Sequence, residues 1–450
     1  MRKTRLLLVY LLVTVIFTAA AAAETYRVGP GEKYSKVSQV AAGLTPGDVV
    51  EITGDIEGGF TLTQSGFFDQ PIIIRGLTRV ENGRIIRPKL TIPATAKNGI
   101  VCQGDWNTLE GLEITAEKPG QGPRTAITAS CHGLTVRNCH LRGNRSGLQG
   151  WHDEKTGDIL IEFCEFESNG GGSRGSVYVR SKRPGAKAVI RHCYFHNEVG
   201  GSFIKSLHPR NVIENNWFES EFFSTLKIVS NHEYTYGRET PKNLRPMHTD
   251  IVGNVFIQGW SPASLYDILQ LGGEGQQSPG TEGDFHIAHN LFVITRDDAV
   301  AIRVHGNVDR LLLYNNIFLP LGVTPARLYE RGNVFESQAT DAFTKRRGHG
   351  DPMMIGANNW IAERVSEVPS ELEGSILAKN PGFVDLVNLD FHPAKGSGLL
   401  GAAKTPLPQG RLGDLLPKYE PTRGIPVDLK APARAQVETP AIGPFEAPGP

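Results

Sequence analysis

LTVRNCHL (134–141), ILIEFCEF (159–166), AVIRHCYF (188–195) and NVIENNWF (211–218) share one local shape. Each is a short β-prone run, then Cys or Asn, any residue, and Phe or Leu. TDIVGNVF (249–256), HIAHNLF (286–292), LLYNNIF (312–318) and YERGNVF (329–335) continue the series. The Cys/Asn position runs through Cys139, Cys164, Cys193, Asn216, Asn254, Asn290, Asn316 and Asn333, with successive steps of 25, 29, 23, 38, 36, 26 and 17 residues. Leu112 extends the series backwards by 27. A period near 25 with insertions of variable size is the signature of stacked coils, each burying its apolar face only against its neighbours. Each coil needs a tight bend, where Asn tolerates left-handed backbone angles and hydrogen-bonds the Asn above and below.

Composition agrees with a turn-rich chain. Of 450 residues, 51 are Gly and 29 are Pro, both above ordinary usage of about 7% and 5%. Length alone suggests about three domains, but the repeat replaces that prior with one solenoid. Lys+Arg and Asp+Glu are both 47, a zero balance that argues against a dedicated nucleic-acid binder. All five cysteines lie between 102 and 193. Cys139, Cys164 and Cys193 read as a buried ladder of small apolar side chains rather than disulfides. No C-x₂-C spacing points to zinc.

The ends differ from the middle. Arg2, Lys3 and Arg5, the apolar run 6–17 and Ala19–Ala23 describe a secretory leader, with cleavage expected before Glu24. A secreted or periplasmic location follows, with no later membrane span. Ten of the 29 prolines fall in the last 48 residues, so 403–450 reads as an extended proline-rich tail. The expected organisation is leader 1–23, solenoid 24–402 and tail 403–450.

The pattern resembles the right-handed parallel β-helix of pectate-lyase-like proteins, over residues 26–402 or so. The resemblance implies an all-β, single-chain solenoid. YRVGPGEKYSKVSQVAAGLTPGDVVEITGD (26–55) is similar to the usual entry with a short capping helix. NPGFVDLVNLDFHPAKGSGLLGA (380–402) is similar to the usual exit. A monomer is expected.

In such a fold, site residues recur in register on one strand of successive coils. Aligning the inward residues Leu148, Val179, Ile204, Leu226, Leu269 and Ile302 sends Gln149, Arg180, Lys205, Lys227, Gln270 and Arg303 outward. Four of these six are cations, and Trp151 and His305 lie two positions further on. Stacked like charges repel, and a polyanion relieves that repulsion, so the expected partner is an acidic polysaccharide. Trp151 is a candidate for stacking on a sugar ring. His208 and His232 are alternative bases titrating nearer neutrality.

Residues 197–232 resemble the alginate lyase and chondroitinase B group of polysaccharide lyases, through Lys205-Ser206 and the turn Asn211–Phe218. The resemblance implies β-elimination at a uronate, with Lys205 as the base. Lys227 stands where those enzymes carry an arginine. Relatives hold calcium through an Asn and two acids; Asn169 and Glu198 occupy two such positions and Gly200 the third. Arg180, Lys205 and Lys227 together can neutralise the same carboxylate. A closer likeness is to uncharacterised exported β-helix proteins, through FESNGGGSRGSVYV (166–179) and VGGSFIKSLHPRNVIENN (199–216). Two other readings stand beside the lyase. One is a non-catalytic matrix protein that only binds exopolysaccharide. The other is a glycoside hydrolase, for which Asp153, Glu154, Asp267 and Asp297-Asp298 are the carboxylates to weigh.

Overall fold

The computed structural model describes residues 22–118, 125–171, 175–220, 222–229, 247–259, 267–272, 283–305, 308–331, 353–408, 410 and 412–447. The leader (apart from its last two residues), His232 and Asn333 lie outside them. Among the described residues the chain winds through three long sheets of 13, 12 and 11 strands. Every ladder within these three sheets is parallel. One coil shows the rule. Asn107–Glu110 lies in the first sheet, Glu113–Ala116 in the second and Ile127–Ala129 in the third. Leu134–Arg137 then returns to the first sheet beside Asn107–Glu110.

Alternation sets the faces. In Leu134-Thr135-Val136-Arg137 the two aliphatic residues are buried and the polar ones point outward, as a half-buried strand demands. The interior is one apolar column running from Val28 to Phe445. Its spine is a file of stacked rings, Phe166, Phe195, Phe218, Phe256, Phe292 and Phe318, with neighbouring centroids 4.6–5.1 Å apart.

The corner between the first and second sheets is two residues wide. Its first residue adopts positive φ: Asn138, Phe163, His192, Asn215, Gly253, His289, Asn315 and Asn358. The ladder residue follows it. The left-handed angle therefore falls one place before the Cys/Asn position, because the ladder side chain has to point inward. Asn254 Oδ1 accepts from the Asn216 backbone N–H at 3.0 Å, and Asn290, Asn316 and Asn359 repeat the contact on successive coils. The ladder thus runs from Asn316 to Asn359 and not to Asn333. The strand Ala326–Arg331 belongs to the third sheet, and a 17-residue step is too short for a three-strand coil. The five cysteines are free and buried, with Cys139, Cys164 and Cys193 filling the same track as expected.

The entry is capped by two single 3₁₀ turns, Val37–Gln39 and Ala41–Gly43, rather than an α-helix. Gly43 and Pro46 interrupt the run before a longer helix forms. No helix among the described residues is long and apolar enough to cross a membrane. Among its described residues the tail forms no strand, only the isolated bridge between Tyr419 and Ala433. It packs back along the corner of positive-φ residues: Asn315 exchanges hydrogen bonds with Lys404, Asn358 donates to the Ala402 carbonyl, and Tyr419 sets its ring edge on His192. Arg423 forms a forked ion pair with Glu219, at 2.9 Å for the closest contact.

Two outcomes follow. Phe256→Ala opens a void in the ring file and is expected to cost about 3–5 kcal/mol in denaturant unfolding. His392 bridges Glu420 and Asp390 at 3.2 and 2.6 Å. The Glu420 bond, then the Asp390 bond, raise it to about 9 against the opposing effect of burial. Its folded pKa lies above its unfolded value, so this contribution is complete below about pH 6.5 and is lost as pH rises through about 9. The melting temperature of the protein is expected to fall over that window, and the fall to shrink in His392→Gln.

Candidate functional site

The outward face of the third sheet carries a continuous row. Thr128, Gln149, Tyr178, Lys205, Lys227, Gln270, Arg303 and Glu330 pair in sequence across neighbouring strands. The register corrects one expected member. Val177, not Val179, pairs with Ile204, so Tyr178 stands in the row and Arg180 lies opposite Leu207. Val177 and Val179 both point inward, and a slip of two residues keeps every side chain on its face. Alternation alone therefore could not separate the two registers. Tyr178 is the site residue the sequence reading missed; its signal is the aromatic at the centre of VYVR.

Tyr178 is flanked by cations. The Arg180 guanidinium lies 4.6 Å from its ring centroid, and Lys205 Nζ lies 5.1 Å from it. Arg180 Nε donates to the Gly150 carbonyl at 3.1 Å, which fixes the guanidinium over the ring. Lys205 and Lys227 are direct register partners, on strands about 4.8 Å apart. Lys227 Nζ sits 6.0 Å from the Phe223 ring centroid. Two strands before Lys205, Gln149 accepts from the Thr125 hydroxyl, and Trp151 follows it half-exposed. The centre of the row is thus a cationic platform with a phenol inside it.

The far end is different. Arg303 is held between two acids, with Nε 3.4 Å from Asp267 Oδ2 and a terminal nitrogen 3.4 Å from Glu330 Oε1. Asp267 also accepts from the Ser224 hydroxyl and is fully buried. Burial raises its carboxyl, while Ser224, Arg303 and Lys227 pull the other way. Arg303, expected to bind substrate, is thereby a clamp between coils. Gln270 lies nearly buried beside it. Burial, reinforced by Arg303 and Lys227, pushes His305 down to about 4.

Three of the carboxylates weighed for a hydrolase, Asp153, Asp267 and Asp297, are engaged in local contacts. Asp267 and Glu330 share one guanidinium. Asp153 is a turn cap, accepting from the Thr156 N–H and hydroxyl and from Ser130. Asp297 caps another turn through the Thr324 N–H.

His208 is not on the groove. Its ring is wholly buried, with Nε2 hydrogen-bonded to the Gly157 carbonyl at 3.0 Å, and burial drives it down to about 4. A base must reach the proton it removes, and this imidazole is a strut between coils.

Asn169 and Glu198 come together, but beneath the turn that leads into the third sheet. Asn169 Oδ1 accepts from Asn144, its Nδ2 donates to the Leu141 carbonyl, and Ser176 donates to Glu198 Oε2 at 2.6 Å. Burial raises the Glu198 carboxyl well above the ordinary range. Calcium takes six to eight oxygens, several of them charged. Here one oxygen is committed to amide donors, one carboxyl oxygen accepts from the Ser176 hydroxyl, and Gly200 replaces the second acid. The donor set does not fit calcium.

Comparison with known proteins supports the architecture. Residues 88–238 match the family model described as right handed beta helix region, which agrees with the strand pairing and gives the winding its hand. No curated protein matches. Among solved structures, the chain is similar to a family-6 polysaccharide lyase from Pseudopedobacter saltans, at 12% identity over 76% of this chain and 86% of that one, with TM-score 0.43. It is similar to a pectate lyase at 13% identity, over 95% and 97%, with TM-score 0.41. It is also similar to a family-136 lacto-N-biosidase from Eubacterium ramulus at 12% identity, over 79% and 67%, with TM-score 0.42. Likeness at this level fixes neither reaction nor substrate.

The buried imidazoles have a measurable consequence. His192, His208 and His305 all sit near 4, with burial the leading cause. Each takes up a proton more readily unfolded than folded, so stability is full above about pH 6.5 and declines as pH falls towards 4. Denaturant midpoints are expected to drop across that range, with a shallower drop in His208→Gln.

Proposed function

We propose that the protein is an exported polysaccharide lyase that cleaves a uronate-containing acidic polysaccharide by β-elimination. The observation that carries this reading is the register of Lys205 and Lys227 beside Tyr178, on one outward, half-buried face. Lys205 removes the proton α to the uronate carboxylate. The electron pair moves into the carboxylate, whose charge Lys227 and Arg180 offset. The bond to the glycosidic oxygen breaks, a ring double bond forms, and the Tyr178 hydroxyl protonates the leaving oxygen. The ammonium of Lys205 then returns a proton to Tyr178, which closes the cycle without metal. Gln149 and Trp151 extend the platform for neighbouring sugars. Export rests on the leader, and five buried free thiols need no oxidising partner outside the cell.

A purely binding role is the second reading, favoured by the poor fit for calcium and by the clamp that engages Arg303. The assay separates them. With alginate, pectate and glycosaminoglycans as substrates, turnover is expected to yield an ultraviolet-absorbing unsaturated uronate. Lys205→Ala is expected to lower the rate by about 10²–10⁴-fold, and Tyr178→Phe by about 10²-fold or more. Salt-dependent retention on the same glycans without any product would establish the binding role instead.

A further inference from the structure

The second sheet carries a cluster that the proposed reaction does not use. Three neighbouring strands, His140–Arg142, Glu165–Glu167 and Tyr194–His196, present it on their outward face. Glu165 pairs in register with His140 and Tyr194, and Glu167 with Arg142 and His196. The contacts cross this lattice diagonally. His140 Nε2 meets Glu167 Oε2 at 3.0 Å, and His196 Nε2 meets Glu165 Oε1 at 3.1 Å. One ligand atom from each of His140, Glu165 and Glu167 lies within 4.8 Å of the others.

We propose that His140, Glu165 and Glu167, whose ligand atoms lie together, form a site for a divalent transition ion, zinc foremost, with His196 turning in from the third coil as the fourth ligand. Zinc holds imidazole nitrogen and carboxylate oxygen at about 2.0–2.2 Å in a tetrahedron, which puts neighbouring ligand atoms about 3.3 Å apart. The two N···O separations already approach that edge. An ion entering between the side chains takes the place of the two His–Glu contacts and draws the ligand atoms inward. Two carboxylates and two neutral imidazoles carry a charge of −2, which a divalent ion cancels. The nitrogen content of the set disfavours calcium and magnesium, which require more oxygen ligands.

The surroundings support the geometry. Tyr194 stacks on His196 with centroids 4.3 Å apart, which orients the ring from outside the ligand set. Tyr194 also hydrogen-bonds Glu219, which Arg423 of the tail holds, so one wall of the recess is fixed. On the other side Arg142 lies 3.6 Å from Glu113. The four side chains are between 11% and 27% exposed, shielded yet open to an ion from solvent.

The test uses the full-length protein stripped with a chelator and titrated with zinc chloride by calorimetry and thermal melting. One zinc per chain is expected, with a rise in melting temperature that calcium and magnesium do not reproduce. Cobalt is expected to give the intense visible bands of a four-coordinate centre. Glu167→Gln and His140→Asn should each weaken zinc binding by at least about tenfold, and either serves if the other fails to fold. His392→Gln, which alters the separate His392–Asp390–Glu420 bridge, should leave zinc binding unchanged. The proposal is overturned if the protein shows no saturable zinc binding. It also falls if both cluster variants bind as the parent does, or if His392→Gln is the variant that loses zinc.

Discussion

The Asn ladder at the corner of the coils is the contact on which the upper solenoid depends. A two-residue bend removes backbone groups from both adjoining sheets while leaving them buried, and such groups are costly unless paired. Each ladder amide solves this locally. Asn290 Nδ2 donates to the Ile251 and Ala288 carbonyls, while its Oδ1 accepts the N–H of Asn254 from the neighbouring coil. The same side chain therefore closes its own bend and locks the next. In the lower coils thiols take that place: Cys164 Sγ meets the Val136 and Glu162 carbonyls at 3.4 and 3.3 Å. The two regimes meet where Asn216 Oδ1 accepts the Cys193 N–H. Register is thus fixed from inside, and the outward residues are left to serve other ends.

Those outward residues segregate by sheet. On the first sheet Arg137, Glu162, Arg191 and Glu214 alternate in charge along one row and pair across coils. The second sheet mixes imidazole, carboxylate and phenol. On the third, cations gather around Tyr178. A chain with equal totals of positive and negative charge therefore contains one face that neutralises itself and another where cations gather. The sum over the sequence conceals this, because charge acts over a few ångströms and not over a composition.

Much of this was legible in the sequence, and the failures share a cause. The repeat, the parallel coils, the buried cysteines and the placement of Lys205 beside Lys227 all follow from periodicity, which local chemistry enforces. What escaped was anything set by contact between coils rather than within one. Arg180 and Tyr178 could not be distinguished by alternation, since both point outward. The next ladder rung is Asn359 and not Asn333, because a long insertion intervenes. His208 and Arg303 look available in a linear reading, yet the Gly157 carbonyl engages one and the pair Asp267 and Glu330 the other. Glu198 looks like a ligand until its burial beneath the turn is known.

A stack of coils, each touching only its neighbours, is a one-dimensional object that can fray from either end. The returning tail changes that dimensionality. Arg423 reaches Glu219 across 204 residues of sequence, and Lys404 holds Asn315 across 89. Ile442 and Phe445, near the end of the chain, belong to the main apolar core. Coils far apart in the stack are thereby tied to one common segment, so losing the upper coils also strips cover from the lower ones. Fraying becomes coupled across the coils that the tail spans, from His192 to Asn315.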